Sequence, residues 1–333
     1  DLLGQINVEL GTPNNVEYLD TLVDQNPNDP IPIYFRGLAH YRVGNVNSAI
    51  GDFESSYNLG LSIWDLRARL GYLRLLRNDA FDREFAERAL TDAVNQEPHN
   101  ALFNAYYAEL EMVRKNYQGA LEYAESATTL DPNLSLGHLI QTRALIALGS
   151  DEHARDSLEN RLDLTTPQDF IDRANLYSYF GQFQLALDDA NQAISINPNQ
   201  AAYYHTRANV HAPMNDLASA IKDFNTAVRL EPSKTTEFQT VISEALTNLA
   251  ESQIDSLLYN DVLSQLDWVL DLQTKKGFAI NCTTHWTGEC ESDKYVYRVY
   301  LKAKALYGLD RLEEAKSTLY ELVAYLIEKR SVH

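Results

Sequence analysis

A small helical residue, an apolar one four positions on and, in most copies, a second small one three after that precede a turn seven times along this chain. The clearest copies read ALEYAESATTLDP (120–132), ALDDANQAISINP (186–198) and AIKDFNTAVRLEP (220–232). Their equivalent residues 120, 154, 186 and 220 are spaced by 34, 32 and 34. A self-similar period near 34 residues describes stacked helix pairs, each burying its apolar face only against its neighbours. The expected fold is all-α: a right-handed solenoid of antiparallel helix pairs, about eight to nine repeats long.

The period can be laid on a 34-position frame with small residues at 8, 20 and 27, a turn residue at 15, a large apolar residue at 24 and proline at 32. Residues 201–232 supply Ala208, Asn215, Ala220, Phe224, Ala227 and Pro232, and residues 167–198 supply Ala174, Gly181, Ala186, Ala190, Ala193 and Pro198. Residues 101–132 give Ala108, Ala120, Ala124, Ala127 and Pro132, and 30–60 give Gly37, Gly44, Ala49, Phe53 and Ser56. This pattern resembles the tetratricopeptide repeat. Small residues let two helices approach closely, and the closing proline lacks an amide donor and so punctuates the helix end.

Weaker copies fill the remainder. Residues 135–166 keep Gly149, Ala154 and Leu158 but have Arg161 in place of a small residue, and 61–98 fit with about six extra residues in a turn around Asn78–Glu84. One solenoid domain is expected over 1–333, since a repeat array grows by addition and needs no linker. Within it, 1–27 read as an atypical first repeat ending at Pro27, with Leu19 and Leu22 on its second helix. Six repeats cover 30–232, a degenerate one covers 233–272, an insertion occupies 275–293 and a last repeat covers 295–330. Pro213 should shorten or bend the first helix of its repeat.

The insertion KKGFAINCTTHWTGECESD contains both cysteines, Cys282 and Cys290. Eight residues apart, they can be joined across a hairpin, where a disulfide would staple a loop that has little core of its own. The disulfide is the expected state and two reduced thiols the alternative; with His285 the pair gives C-x2-H-x4-C, three metal-type ligands where a closed zinc site needs four, so no metal is expected. A disulfide would favour an extracytoplasmic or secreted location over the cytoplasm. The chain opens on Asp1, which reads as a processed or trimmed start, so a removed signal peptide, anchor or catalytic domain stays open.

Arg36, Arg173 and Arg207 stand at position 7, each with an aspartate sixteen residues later: Asp52, Asp189 and Asp223. Repeats without that arginine, such as those with Tyr107 and Gln141, lack that aspartate. Intrarepeat salt bridges are expected, because a bidentate arginine–carboxylate pair fixes the register of two antiparallel helices.

A net charge of −19 argues against nucleic acid, which needs a basic stripe, and points to neutral or basic partners over acidic ones. No apolar window is long enough to span a membrane. Metalloprotease, phosphate-loop, dinucleotide and nucleophile-elbow motifs are all missing, so neither an enzyme nor a cofactor is expected. The resemblance implies instead a concave groove lined by the first helix of each pair, built to hold a peptide segment or a partner protein. On its groove positions this chain carries Tyr34, Phe35, Tyr41 and Arg42, then Asp65, Arg69 and Tyr72, then Tyr106 and Glu109, then Arg143. Asp172, Asn175 and Tyr179 follow, and His205, Thr206 and Asn209 close the series. A half-buried packing role competes with ligand contact for the tyrosines, whereas Arg143, Asn175 and Asn209 add nothing to packing. Tyr34 and Leu38 stand where the family's clamp for acidic carboxylate tails has lysine and asparagine, which argues against such a tail. The alternatives are a structural or assembly segment of a larger protein, or an accessory domain of an enzyme.

Overall fold

In the computed structural model, residues 14–77, 80–158, 164–234, 243–244, 246–251, 253–254, 258–275 and 291–330 are described. Cys282, Cys290, His285 and Arg161 lie outside them. All described elements are helices, arranged in two compact units, residues 1–199 and 200–333. The division falls between two repeats.

The first unit begins with α1 (Asn14–Gln25), whose Leu19 is buried, and continues in five antiparallel pairs. These are α2 (Pro30–Arg42) with α3 (Val46–Asn58), α4 (Trp64–Arg77) with α5 (Ala80–Gln96), and α6 (Ala101–Val113) with α7 (Tyr117–Leu130). Then come α8 (Ser135–Ala147) with α9 (Asp151–Leu158) and α10 (Pro167–Tyr179) with α11 (Phe183–Ile196). The second unit holds α12 (Ala201–His211) with α13 (Leu217–Leu230), then α14 (Tyr259–Lys275), α15 (Glu291–Gly308) and α16 (Leu312–Arg330).

The helix starts follow from local chemistry. Asp29 accepts from the Ile31 amide ahead of Pro30, Asn100 from Phe103, and Thr166 with Asp169 forms a reciprocal capping box in front of Pro167. Each arrangement satisfies amides that the first helical turn leaves without partners. Pro213 ends α12 at His211, two residues short of its 13-residue counterparts α6 and α10, because the ring removes the donor that the next turn requires.

Position 15 has a backbone requirement that its residue types only partly advertise. Gly44, Lys115, Gly149, Gly181 and Asn215 all have positive φ there, between 60° and 77°. The left-handed conformation reverses the chain between paired helices, and Lys115 adopts it at φ 61° without glycine's freedom. Asp310, at φ 60°, plays the same part between α15 and α16.

The second repeat departs from its expected layout. From Ala80 on, the stretch expected to form a long turn is helical, since α5 begins there and extends for 17 residues. Arg77 donates to Asp82 at 2.7 Å, and the Arg74 guanidinium lies 3.7 Å from the same buried carboxylate, which ties the first turn of α5 to α4. Since α4 begins at Trp64, Gly71 falls at position 8, where Gly37 and Ala108 stand in their own repeats. A Cβ on Gly71 would sit 3.0 Å from Ala89 and one on Gly37 2.7 Å from the Phe53 ring. The insertion is also shorter than expected at its end: residues 291–293 belong to α15.

The three arginine–aspartate pairs are bidentate. Arg36 reaches Asp52 at 2.9 and 2.7 Å, Arg173 reaches Asp189 at 2.7 and 2.8 Å, and both Arg207–Asp223 contacts measure 2.6 Å. Arg36 also bonds Asp20 of α1 at 2.9 Å, which links the first repeat to the helix before it.

Within the first unit the array coils back on itself. Asn197, after α11, donates to the Val43 carbonyl at 3.1 Å and lies 3.3 Å from Asn45 Oδ1, joining turns 154 and 152 residues apart. The first helices of all five pairs therefore face a shared interior. Gly37→Ala should cost about 1–3 kcal/mol by forcing Phe53 from its place. Lys115→Gly should stabilise by up to about 1 kcal/mol. Urea unfolding checks both, and opposite signs are expected.

Candidate functional site

Position 9 of successive first helices forms a column in the first unit: Leu38, Tyr72, Glu109, Arg143 and Asn175. Two of its members bond one period apart. The Arg143 guanidinium donates to both oxygens of Glu109, at 2.8 and 3.1 Å. Glu109 is 4% exposed, so this pair is a charge-assisted clamp between α6 and α8. Arg143 is thus committed to a neighbour, although its position had suggested a free fork for a ligand.

A second polar cluster joins α2, α4 and α6. The Tyr34 hydroxyl donates to Asp65, which also accepts from Arg69 Nε at 2.7 Å, and Arg69 Nη1 lies 3.5 Å from the Tyr106 hydroxyl. Burial and the Asp65 carboxylate raise the Tyr34 phenol above its ordinary value, which keeps it a donor. Burial pushes Tyr106 up to about 12. Tyr106 is 1% exposed and stacks on Tyr72, ring centroids 4.2 Å apart. Phe35 belongs to the core, edge-on to Tyr34, and offers no groove surface.

Two cavities occupy the interior on either side of that tyrosine stack. One, of about 610 Å³, is walled by Tyr41, Arg42, Arg69 and Tyr106, with Ser135 and the Thr165–Thr166 backbone region at its far side. The other, of about 520 Å³, lies among α4, α6, α8 and α10 and brings together Tyr72, Glu109, Arg143, Asp172, Asn175 and Tyr179. Sequence reasoning assigned all six of these, but it missed Leu76, Met112, Ile146, Gln168 and Leu176, which complete the wall. It also missed the Glu109–Arg143 bond, whose signal was opposite charges at the same position one repeat apart.

Asp172 is the electrostatic focus of the second cavity. It accepts from Gln168 Nε2 at 2.9 Å. Burial pushes its pKa up to about 7, with Glu109 and Asp169 adding to the rise and Arg143 and Gln168 opposing it. Asn175 is exposed, and Tyr179 is 56% exposed with its hydroxyl 3.3 Å from both Asp151 oxygens.

The remaining predicted groove residues lie in the second unit. Thr206 is buried, His205 and Asn209 are partly buried, and Asn209 Oδ1 has no hydrogen-bond partner among the described residues.

Paired helices around a polar, cavity-bearing interior define a helical-repeat protein. A tetratricopeptide repeat family model matches residues 78–135, and a second of the same description matches 201–234. The chain thus carries tetratricopeptide repeats in these two segments. No curated protein matches its sequence. Among solved structures, a chain of the APC/C hetero-tetramer Cut9–Hcn1 is 16% identical with a TM-score of 0.50, over 71% of this chain and 46% of that one. The present chain therefore spans about half the length of that relative. TTC0263, a thermophilic TPR protein in Thermus thermophilus, is 18% identical with a TM-score of 0.46, over 55% of this chain and 99% of its own. The human IFIT1 dimer with PPP-AAAA is 14% identical with a TM-score of 0.46, over 98% and 88%. At these identities the likeness is one of fold.

Two measurements follow. Arg143→Met strands a buried Glu109 charge and should cost roughly 2–3 kcal/mol in urea unfolding, part of which Glu109→Gln in the same chain restores. For Asp172 the folded pKa is raised, from 3.8 to about 7. Its contribution to stability is full below the unfolded value and is lost as pH rises through the folded one. Asp172→Asn should raise the melting temperature at pH 8 and leave it little changed near pH 4.

Proposed function

We propose that this protein is a non-enzymatic interaction scaffold that holds a peptide segment of a partner protein against the interior of its first unit. The carrying observation is convergence: first helices of five successive pairs direct aromatic and polar side chains toward two adjoining cavities. Apolar walls with a few fixed polar groups suit side-chain capture, and Asn175 at the rim can both donate to and accept from a peptide group. A protein partner fits better than nucleic acid. Phosphate binding needs available cations, whereas Arg69 and Arg143 are bound to Asp65 and Glu109, in a chain of net charge −19. That charge supports neutral or basic partners. No helix of the described residues is long and apolar enough to cross a membrane.

Peptides selected by display on the intact protein should lose about tenfold in affinity with Asn175→Ala, the effect of one bidentate polar contact. Unchanged binding would remove the groove from the reading. Asn209→Ala reports separately on the second unit.

An assembly role is the second reading, favoured by the surface of α15 and α16. Tyr307 is 70% exposed and, with Tyr300, Leu312 and Leu319, borders an apolar trough. Contiguous exposed apolar surface of this kind marks contact with another chain.

A further inference from the structure

The 520 Å³ cavity combines two kinds of lining. Leu76, Met112, Ile146 and Leu176 provide apolar wall, Tyr179 is an exposed part of it, and Asp172 bonded to Gln168 is a polar part. Its charges do not balance. Both Glu109 oxygens are occupied by Arg143, so that pair closes on itself. Asp172 accepts one hydrogen bond, on Oδ1 from Gln168, and its Oδ2 accepts none among the described residues.

The groups facing Asp172 come from every surrounding helix: Arg143 on α8, Glu109 on α6, Tyr72 on α4, Tyr41 on α2 and Asp169 on its own α10. Two carboxylates and one guanidinium lie in the cavity itself, and Asp169 adds a third acid beside it. A half-buried carboxylate in such surroundings is stabilised by a proton or by a cation. A hydrocarbon wall beside a carboxylate matches a long apolar stem with a positively charged head.

We propose that the ligand of this scaffold inserts a lysine or arginine side chain here, its stem against Ile146 and Leu176 and its cation on Asp172. This rests on the peptide-holding role above and deepens it, because it specifies the residue type that the cavity reads. An acidic side chain would meet Asp172 and Glu109 together, and a norleucine-like one would fill the walls while leaving Asp172 without a partner. A free polyamine shares the cationic head but has no peptide group for Asn175. Binding is coupled to protonation. Burial pushes Asp172 up to about 7, and the cation needs it ionised. Affinity should therefore rise from pH 6 to pH 8, and binding near neutral pH should release protons.

The test uses four fluorescent pools of acetylated, amidated heptapeptides, degenerate except for a central arginine, lysine, norleucine or glutamate, titrated onto the full chain at pH 6, 7 and 8. The arginine and lysine pools should bind at least about tenfold tighter than the norleucine pool at pH 8. Asp172→Asn should abolish both that preference and the pH dependence. Calorimetry of the arginine pool at pH 7, in buffers of different ionisation enthalpy, should show the proton release. Equal binding of all pools overturns the basic-side-chain pocket and leaves the groove standing, whereas binding by no pool overturns both. Affinity that falls with rising pH overturns the proposal, since it would mean that protonated Asp172 acts as the donor. Spermidine that binds Asp172-dependently while no pool competes with it overturns the peptide assignment. The pH dependence of the unaltered protein tests the proposal even if Asp172→Asn fails to fold.

Discussion

The close approach of the two helices in each pair sets the spacing on which everything else in the first unit relies. At position 8 the first helix presents Gly37, Gly71, Ala108 or Ala174 to its partner, and a Cβ on Gly37 would already overlap the Phe53 ring. Such contact leaves room for one bulky residue per pair, as Phe53 and Phe224 show, both nearly without exposure. With the separation fixed, positions 7 and 23 come within bonding reach. Guanidinium forks then close on Asp52, Asp189 and Asp223 with both donors. These bonds add angular restraint that alanine contacts lack. A helix pair fixed both in distance and in rotation presents its position-9 side chain in the same direction each time. The interior column is a consequence.

The parts of this arrangement that repeat are legible in the sequence, and the parts that depend on one repeat meeting another are much less so. Ala120, Ala124 and Ala127 announce their role by recurrence, as does the sixteen-residue spacing of arginine and aspartate. The same reasoning put a long turn in the second repeat because AFDREFAERA was divided between a turn and a helix, when Asp82 anchors the helix start through Arg77 and Arg74. Gly71 held the correct register, since only the frame starting at Trp64 puts it at position 8. Phe35 was assigned to the groove by position alone, and its burial against Tyr34 depends on how far α2 rotates toward its neighbours. The raised pKa of Asp172 was beyond sequence reading altogether, because it arises from burial among four other helices.

Strong net acidity and arginines in the interior are compatible where an interior guanidinium has a local carboxylate, as two of them do. Arg69 with Asp65 and Arg143 with Glu109 place opposite charges at 2.7 to 3.1 Å, where they cancel at any longer range. The field inside is set by what remains after cancellation, and in the second cavity that remainder is Asp172. Surface acids are screened within about 10 Å at ordinary salt, so in the proposed role any discrimination between ligands would fall to the interior.

In the proposed role, a basic segment would meet, among α4, α6, α8 and α10, an acid that burial has pushed up to about 7. Were Asp172 as exposed as Asn175, its carboxylate would be fully ionised and hydrated at neutral pH, and exchanging water for a cation would contribute little. Partial burial raises the cost of its charge without a partner, and so raises what a partner's cation would contribute there. The same burial comes from the coiling that brings α2 opposite α10 and bonds Asn197 to Val43. A looser coil would hydrate Asp172 and weaken its preference for a cation, so the curvature set by the small-residue contacts also sets how strongly the interior can select.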